Sequence, residues 1–294
     1  MNEREWLAER WQAHAPHLRA VAYRMLGSLS EADDAVQEAW LRLNRADTSG
    51  IGNLGGWLTT VVARVCLDML RARGSRREEP LEAHLPDPII SREDAVDPEQ
   101  QALLSEGVGL ALLVVLQTLA PAERLAFVLH DMFGVPFEEI AGILDRSPTA
   151  ARQLASRARR RVRGSAPVPD ADLASQRAVV HAFMVAAHDG DFEALVEVLD
   201  PEVVLRADRG AMPRGASRQF RGAAAVAEQA LSFAWLAQYA RPALVNGVAG
   251  LVVATEERPY SVMGFTVRHG RIVAIDILAD PARLRQLDLT VLDD

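Results

Sequence analysis

Between positions 147 and 164 the chain carries six arginines, at 152, 157, 159, 160, 161 and 163, and no acidic residue. A guanidinium is permanently charged and planar, so it pairs in a fork with phosphate oxygens or with the O6/N7 edge of guanine. Ser147, Thr149, Gln153 and Ser156 lie among these arginines, and hydroxyl and amide side chains add shorter-range contacts to phosphates and to adenine. This is chemistry for a polyanion, DNA first among them. An RNA, an anionic membrane surface or plain solvation would suit a basic helix too. A second basic set, Arg64, Arg71, Arg73, Arg76 and Arg77, contains one acid, Asp68. Phosphate holding is one role for it; a preference for cations at a helix C-terminus is another. Between the two sets, 78–99 holds eight acids against one arginine. The net charge of −8 thus hides two basic patches separated by an acidic tether.

Other reactive side chains point to less. His181, His188, Asp189, Asp191, Asp208 and His269 could serve acid–base catalysis, yet no pair of them falls into a catalytic motif. A lone histidine on a helix is more often a packing or solvent-edge residue, so no catalytic residue is assigned and an enzyme is not expected. Cys66 is the one cysteine of the chain, which excludes an intramolecular disulfide and any multi-cysteine zinc site; a buried structural thiol is expected, with no metal and no cofactor. No apolar run approaches the ~18 residues of a membrane span, and the charged N-terminus is unlike a secretion signal. The expectation is a cytoplasmic protein without a membrane partner.

These side chains need helices to position them. Leu18, Val21, Ala22, Met25 and Leu26 are spaced to form one buried stripe. Ser30 is placed to cap a second helix, with Glu31, Asp33 and Asp34 in its first turn. The stretch 47–56 reads as a glycine-rich loop, and a third helix is expected over about 54–73. Four prolines and the acidic run make 78–100 a linker outside any core. Within 101–164, residues 137–144 predict a short amphipathic helix, Asp145-Arg146 a turn, and Ser147-Pro148 the cap and first position of the arginine helix. That is a helix-turn-helix whose second helix can enter a major groove. After a short linker at 165–173 the pattern changes. Helices are expected over 174–188, 192–199 and 223–236, then antiparallel strands at 243–245, 250–254, 260–267 and 271–278, with turns such as His269-Gly270. Helices followed by strands describe an α+β domain with a curved sheet around a pocket.

The order of these pieces resembles a known family. Leu29-Ser30-Glu31-Ala32-Asp33-Asp34-Ala35-Val36-Gln37-Glu38-Ala39-Trp40-Leu41 looks like region 2.2 of bacterial sigma factors, which docks on RNA polymerase. That resemblance implies a core-polymerase face formed by Asp33, Asp34, Gln37, Glu38, Trp40 and Leu41; from composition alone the acids fit a solvated first turn. The segment 53–71 is similar to regions 2.3 and 2.4, implying −10 recognition by Asn53, Arg64, Asp68, Arg71, Arg73, Arg76 and Arg77, with the loop at 44–56 receiving an extruded base. Residues 107–163, opening with Leu119-Ala120-Pro121-Ala122-Glu123-Arg124, resemble region 4. This implies −35 recognition by Ser147, Thr149, Arg152, Gln153, Ser156, Arg157 and Arg160. The short linker points to the extracytoplasmic-function class.

Residues 174–294 look like a SnoaL-like (cystatin/NTF2-like), cone-shaped α+β domain. The resemblance therefore implies a multidomain chain: two all-α domains, at 1–77 and 101–164, then this domain. Sigma factors with such an extension are regulated by it in cis. His84-Leu85-Pro86-Asp87-Pro88-Ile89 resembles the group's Trp-Leu-Pro-Glu-Pro-Leu linker motif. Asp208-Arg209-Gly210 is a degraded version of its Asp-Gly-Gly-Gly-Lys motif, and Asp280-Pro281-Ala282-Arg283-Leu284 is close to its terminal Asn-Pro-Asp-Lys-Leu. Leu85, Pro86, Asp87, Pro88, Asp208, Arg209, Gly210, Asp280, Pro281 and Leu284 are the expected interdomain residues. The implied partners are core polymerase and promoter DNA, with a pocket able to take a small molecule. Two other readings fit parts of the chain: a ligand-sensing helix-turn-helix regulator, and a SnoaL-type enzyme with a DNA-binding appendage.

Overall fold

The computed structural model describes residues 3–46, 51–76, 85–92, 109–165, 169–170, 172–210, 218–255 and 258–289. They form two compact units: a helical one reaching to Ser165, and a second that takes the rest of the chain together with 85–92 and 109–114.

The helical unit begins with α1 (Glu3–Leu26), α2 (Leu29–Leu43) and α3 (Leu54–Arg76). Leu18, Val21, Ala22, Met25 and Leu26 are all enclosed, as their spacing predicts. They meet Ala32, Ala35 and Ala39 of α2, whose small side chains let the helices approach closely, and Leu58, Val62 and Cys66 of α3. Burial pushes the Cys66 thiol up to about 12, so it stays a protonated, inert apolar group. Two local expectations need correction. Gly27 turns the chain at φ 72, so α2 starts at Leu29 with Ser28 in the extended cap position. Ser30 lies inside the first turn, its hydroxyl 3.1 Å from that of Ser28. Gly55 and Gly56, expected in a loop, instead form the first turn of α3, where Asn53 Oδ1 accepts the Gly56 N–H at 3.0 Å. Residues 47–50 of that loop lie outside the described residues.

Next come α4 (Leu110–Gln117), α5 (Pro121–Phe127), a π-helical turn (Val128–Met132), α6 (Phe137–Leu144) and α7 (Pro148–Ser165). The turn between α6 and α7 follows the sequence reading. Asp145 adopts the left-handed conformation at φ 54, and Ser147 Oγ accepts the Ala150 N–H at 3.2 Å with Pro148 as the first helical residue. Ala151, Ala155 and Ala158 give α7 a narrow buried stripe.

The second unit is an α+β domain. Its helices α8 (Leu173–Asp189), α9 (Phe192–Val198) and α10 (Ala223–Leu231) cover a seven-stranded sheet: β1 (Ile90–Ser91), β2 (Leu199–Asp208), β3 (Arg218–Arg221), β4 (Ala240–Val245), β5 (Val248–Ala254), β6 (Pro259–Arg268) and β7 (Arg271–Leu278), in the order β1-β4-β5-β6-β7-β2-β3. The four expected strands are β4 to β7, and the β4–β5 and β6–β7 hairpins turn on left-handed pairs, Asn246-Gly247 and His269-Gly270. The expectation of consecutive antiparallel strands after the helices misses three. β2 runs parallel to β7, β3 pairs antiparallel with β2, and β1 comes from the proline-bearing stretch. The helix expected over 223–236 ends at Leu231 and gives way to a 3-10 turn, Ala234–Tyr239. One face of the sheet packs Leu205, Leu251, Phe265 and Ile275 against Phe183, Leu195 and Val226; the other gathers Ile90, Val245, Val252, Val262 and Leu278 with Leu284 of the short terminal helix α11 (Pro281–Leu284).

Candidate nucleic-acid interface and linker clasp

On α7 the buried alanine stripe leaves the opposite face outside. Thr149, Arg152, Gln153, Ser156, Arg157 and Arg160 are all exposed along it. Positions three and four apart stack on one helical face, so these six form a continuous row. Arg152 lies over the Phe137 ring at 5.1 Å. The other arginines divide in a way composition cannot show. Arg159 pairs with Asp131, and Arg161 bonds the Thr118 carbonyl (3.3 Å) and approaches Glu123 (3.6 Å). These two contacts tie the helix to its own domain, and the row stays exposed.

The −10 candidates are more dispersed. Asn53 is the cap of α3, a structural duty. Asp68 and Arg71 form an exposed pair at 3.8 Å. Arg73 turns inward, pairing with Glu31 and donating to the Leu26 carbonyl at 3.3 Å. Arg64 donates to the Gly142 carbonyl of α6 at 3.1 Å, across the seam between the first three helices and the helix-turn-helix. Arg124 lies in the same seam, its Nε and Nη2 on the Arg24 carbonyl at 3.2 and 3.1 Å. Burial pulls the Arg124 guanidinium below the usual arginine range, to about 9. Arg76 ends α3, and Arg77 lies outside the described residues. On α2, Asp33, Asp34, Gln37 and Leu41 are exposed. Arg19 engages Asp33 at 2.6 Å, Glu38 pairs with Arg42 at 2.9 Å, and Trp40 packs on Trp11 with ring centres 5.0 Å apart.

In the second unit the segment 85–91 is no free linker. Leu85, Pro86, Pro88, Ile89, Ile90 and Ser91 are buried. With proline at 86 and 88, the N–H groups of Leu85, Asp87 and Ile89 remain as donors over 85–89. The Leu85 N–H goes to Asp208 Oδ2 (2.9 Å), and the Ile89 N–H to Asn246 Oδ1 (3.2 Å). The Asn246 N–H returns a bond to the Ile89 carbonyl at 2.8 Å, after which Ile90 and Ser91 pair with Val245 and Leu244. Arg283 closes this clasp. Its guanidinium reaches Asp208 at 2.7 Å, Asp87 at 2.5 Å and the Leu85 carbonyl at 2.6 Å. Gly210, at φ +74, is packed so closely that a β-carbon there would lie 2.6 Å from Asp280 Oδ2; Asp280 itself caps α11 through the Ala282 N–H. The expectation of a linker outside any core is therefore corrected for 85–91, while His84 lies outside the described residues. Arg283 and Asn246 are the clasp residues that sequence reading left out. The cation at the fourth place of the terminal motif was the available signal for Arg283.

Between the sheet and the helices that cover it lies a partly open cavity of about 690 Å³. Its wall is largely apolar, and among the described residues it contains no carboxylate and no histidine. His181, His188, Asp189, Asp191 and His269 are exposed elsewhere, and Asp208 is committed to the clasp. On the other face of the sheet, Asp276 is wholly buried and its carboxyl is held above the ordinary range by desolvation; Arg206 opposes this from 2.6 Å. Among the described residues no cluster of His, Cys, Asp or Glu could hold a metal, and no helix is long and apolar enough to cross a membrane.

A three-helix domain, a helix-turn-helix with an outward arginine row and an appended α+β domain define a transcription factor of the sigma-70 type. Family models for Sigma-70 region 2 and Sigma-70, region 4 match residues 11–76 and 109–162. The ECF RNA polymerase sigma factor SigJ of Mycobacterium tuberculosis (H37Rv) is 39% identical over 287 residues, covering 92% of this chain and 91% of that protein. The probable ECF sigma factor SigI of the same species is 35% identical over 298 residues, 98% of each chain. The chain belongs to the extracytoplasmic-function RNA polymerase sigma factors. The crystal structure of the M. tuberculosis SigJ superposes with a TM-score of 0.79 at 36% identity, covering 94% of this chain and 97% of that one; the fold is thus a pair of helical sigma domains followed by a SnoaL-like α+β domain.

Proposed function

We propose that this sigma factor brings core RNA polymerase to its promoters through the exposed face of α2, reads the −35 element with the α7 row and the −10 element with α3, and is controlled in cis by its C-terminal domain. The observation that carries the control is the clasp. The segment joining the two promoter readers is bound to the SnoaL-like domain by Asp208, Asn246 and Arg283, so the reach of one reader from the other depends on that domain. The seam supports the same reading. Elements centred about 25 base pairs apart lie roughly 85 Å apart along B-DNA, whereas Arg64 of α3 touches α6 directly and α7 is only about 27 Å long. Reading both elements therefore requires this seam to open. The apolar wall of the cavity supports a ligand site and not a catalytic one.

The test is transcription in vitro with purified core polymerase and a promoter selected by the protein. Wild type, Arg283→Ala and a chain ending at Asp170 are compared. Both altered proteins should change transcript yield several-fold. Equal yield and equal promoter affinity in all three would remove the control in cis. Absence of transcript, together with no co-purification with core polymerase, would remove the polymerase-directed role.

A further inference from the structure

Among the described residues, Arg209 is the cation in the wall of the apolar cavity. The same wall includes Phe233, Trp235, Phe220, Ala207 and Pro281, and its other polar groups among the described residues are Gln229, Tyr260 and Ser261. Among the described residues no carboxylate pairs with Arg209; its guanidinium rests over the Phe233 ring at 5.3 Å. Gln229 is engaged with Ser232 at 3.2 Å and the Tyr260 hydroxyl with Arg258 at 3.2 Å. A cation set against an apolar wall without a counter-ion attracts an anion more strongly than a solvated one does, because water screens it less. A cavity of about 690 Å³ is within the usual size range for small-molecule sites.

We propose that this cavity binds a small monoanion with an apolar body, its acid group on Arg209 and its body along Phe220, Phe233, Leu251 and Met263. The site also borders the clasp. Ala207 and Arg209 line the cavity while Asp208 between them binds Leu85, and Ala279 and Pro281 line it while Arg283 binds Asp87. A ligand that reorients Arg209 therefore acts on the same two backbone stretches that hold the linker. This coupling rests on the control in cis proposed above; the binding site does not.

Decanoate and decan-1-ol serve as probes, displacing the fluorescent apolar anion anilinonaphthalene sulfonate from the full-length protein without polymerase or promoter. Decanoate should compete at least tenfold better than decanol. Arg209→Gln should abolish that preference by weakening decanoate tenfold or more while leaving decanol within twofold, and Ala230→Trp, which fills the cavity, should weaken both. Equal competition by acid and alcohol, an Arg209→Gln protein that still prefers decanoate, or no displacement by either probe overturns the proposal. Hydrogen exchange at the Leu85 and Ile89 amides is then followed with saturating decanoate. A change of threefold or more supports coupling; unchanged exchange in a protein that binds decanoate overturns the coupling and leaves the site.

Discussion

The arginine row of α7 and the single arginine of the clasp use one side chain in opposite ways. Arg152, Arg157 and Arg160 stand in solvent on a face without acids, where their charge is screened and contributes little until phosphates arrive. Arg283 is enclosed, and each arm of its fork already has an oxygen. The first arrangement keeps affinity available to a partner that comes and goes. The second spends its directional bonds inside the chain, where losing one partner leaves a buried charge behind. In this sigma factor the row is suited to contact and the clasp to commitment.

That contrast can be broken at either end. The largest effect is expected for Arg283→Ala, which removes the guanidinium 2.7 Å from Asp208, a carboxylate at 1% exposure. A loss of about 3 kcal/mol in the unfolding free energy of the second unit follows from the cost of breaking a buried pair, measurable by denaturant titration. Amide exchange at Leu85 should rise with it; a stable protein with a protected Leu85 would contradict the clasp. Next is the combined Arg152→Ala, Arg157→Ala and Arg160→Ala protein. Promoter affinity should fall about 100-fold and the slope of log affinity against log salt should lose roughly 2 to 3, with the unfolding midpoint unchanged. An unaltered salt slope would place these arginines off the DNA. Gly210→Ala is expected to cost about 1 to 3 kcal/mol, because alanine meets both a left-handed backbone and the Asp280 carboxylate; thermal unfolding reads it. Ser147→Ala should cost about 1 kcal/mol through the lost cap of α7, with weaker −35 binding and an intact clasp by exchange.

Where structure is local, the sequence was informative. The α7 cap is written in Ser147-Pro148, the stripe of α1 in its spacing, and the hairpins in runs of apolar residues beside turn pairs. The seam and the clasp were not legible for one shared reason: their partners are distant in sequence. Arg283 is 196 positions from Asp87, and Arg64 is 78 from Gly142, separations at which no periodicity operates. β2 was missed because its ladder partner, β7, is parallel and reached only after four other strands. The stretch 85–91 read as a linker since Pro86 and Pro88 remove N–H donors that a strand normally uses; the domain supplies side-chain acceptors for two of those that remain. Arg159 and Arg161 show the same limit within a recognised motif, since composition counts all six arginines alike and the fold engages these two with Asp131, Glu123 and the Thr118 carbonyl.

The short strand β1 has a consequence of its own. It lies at one edge of the sheet, opposite to the β3 edge, and beside it β4 presents Leu244 and Val245. If the proposed release occurs, those backbone groups become an open border on an apolar sheet, the kind of border that recruits a strand from another molecule. Release of the promoter-reading half would thus be accompanied by a tendency to self-associate that grows with protein concentration. On this reading the two residues of β1 cover a border that would otherwise be open to another chain.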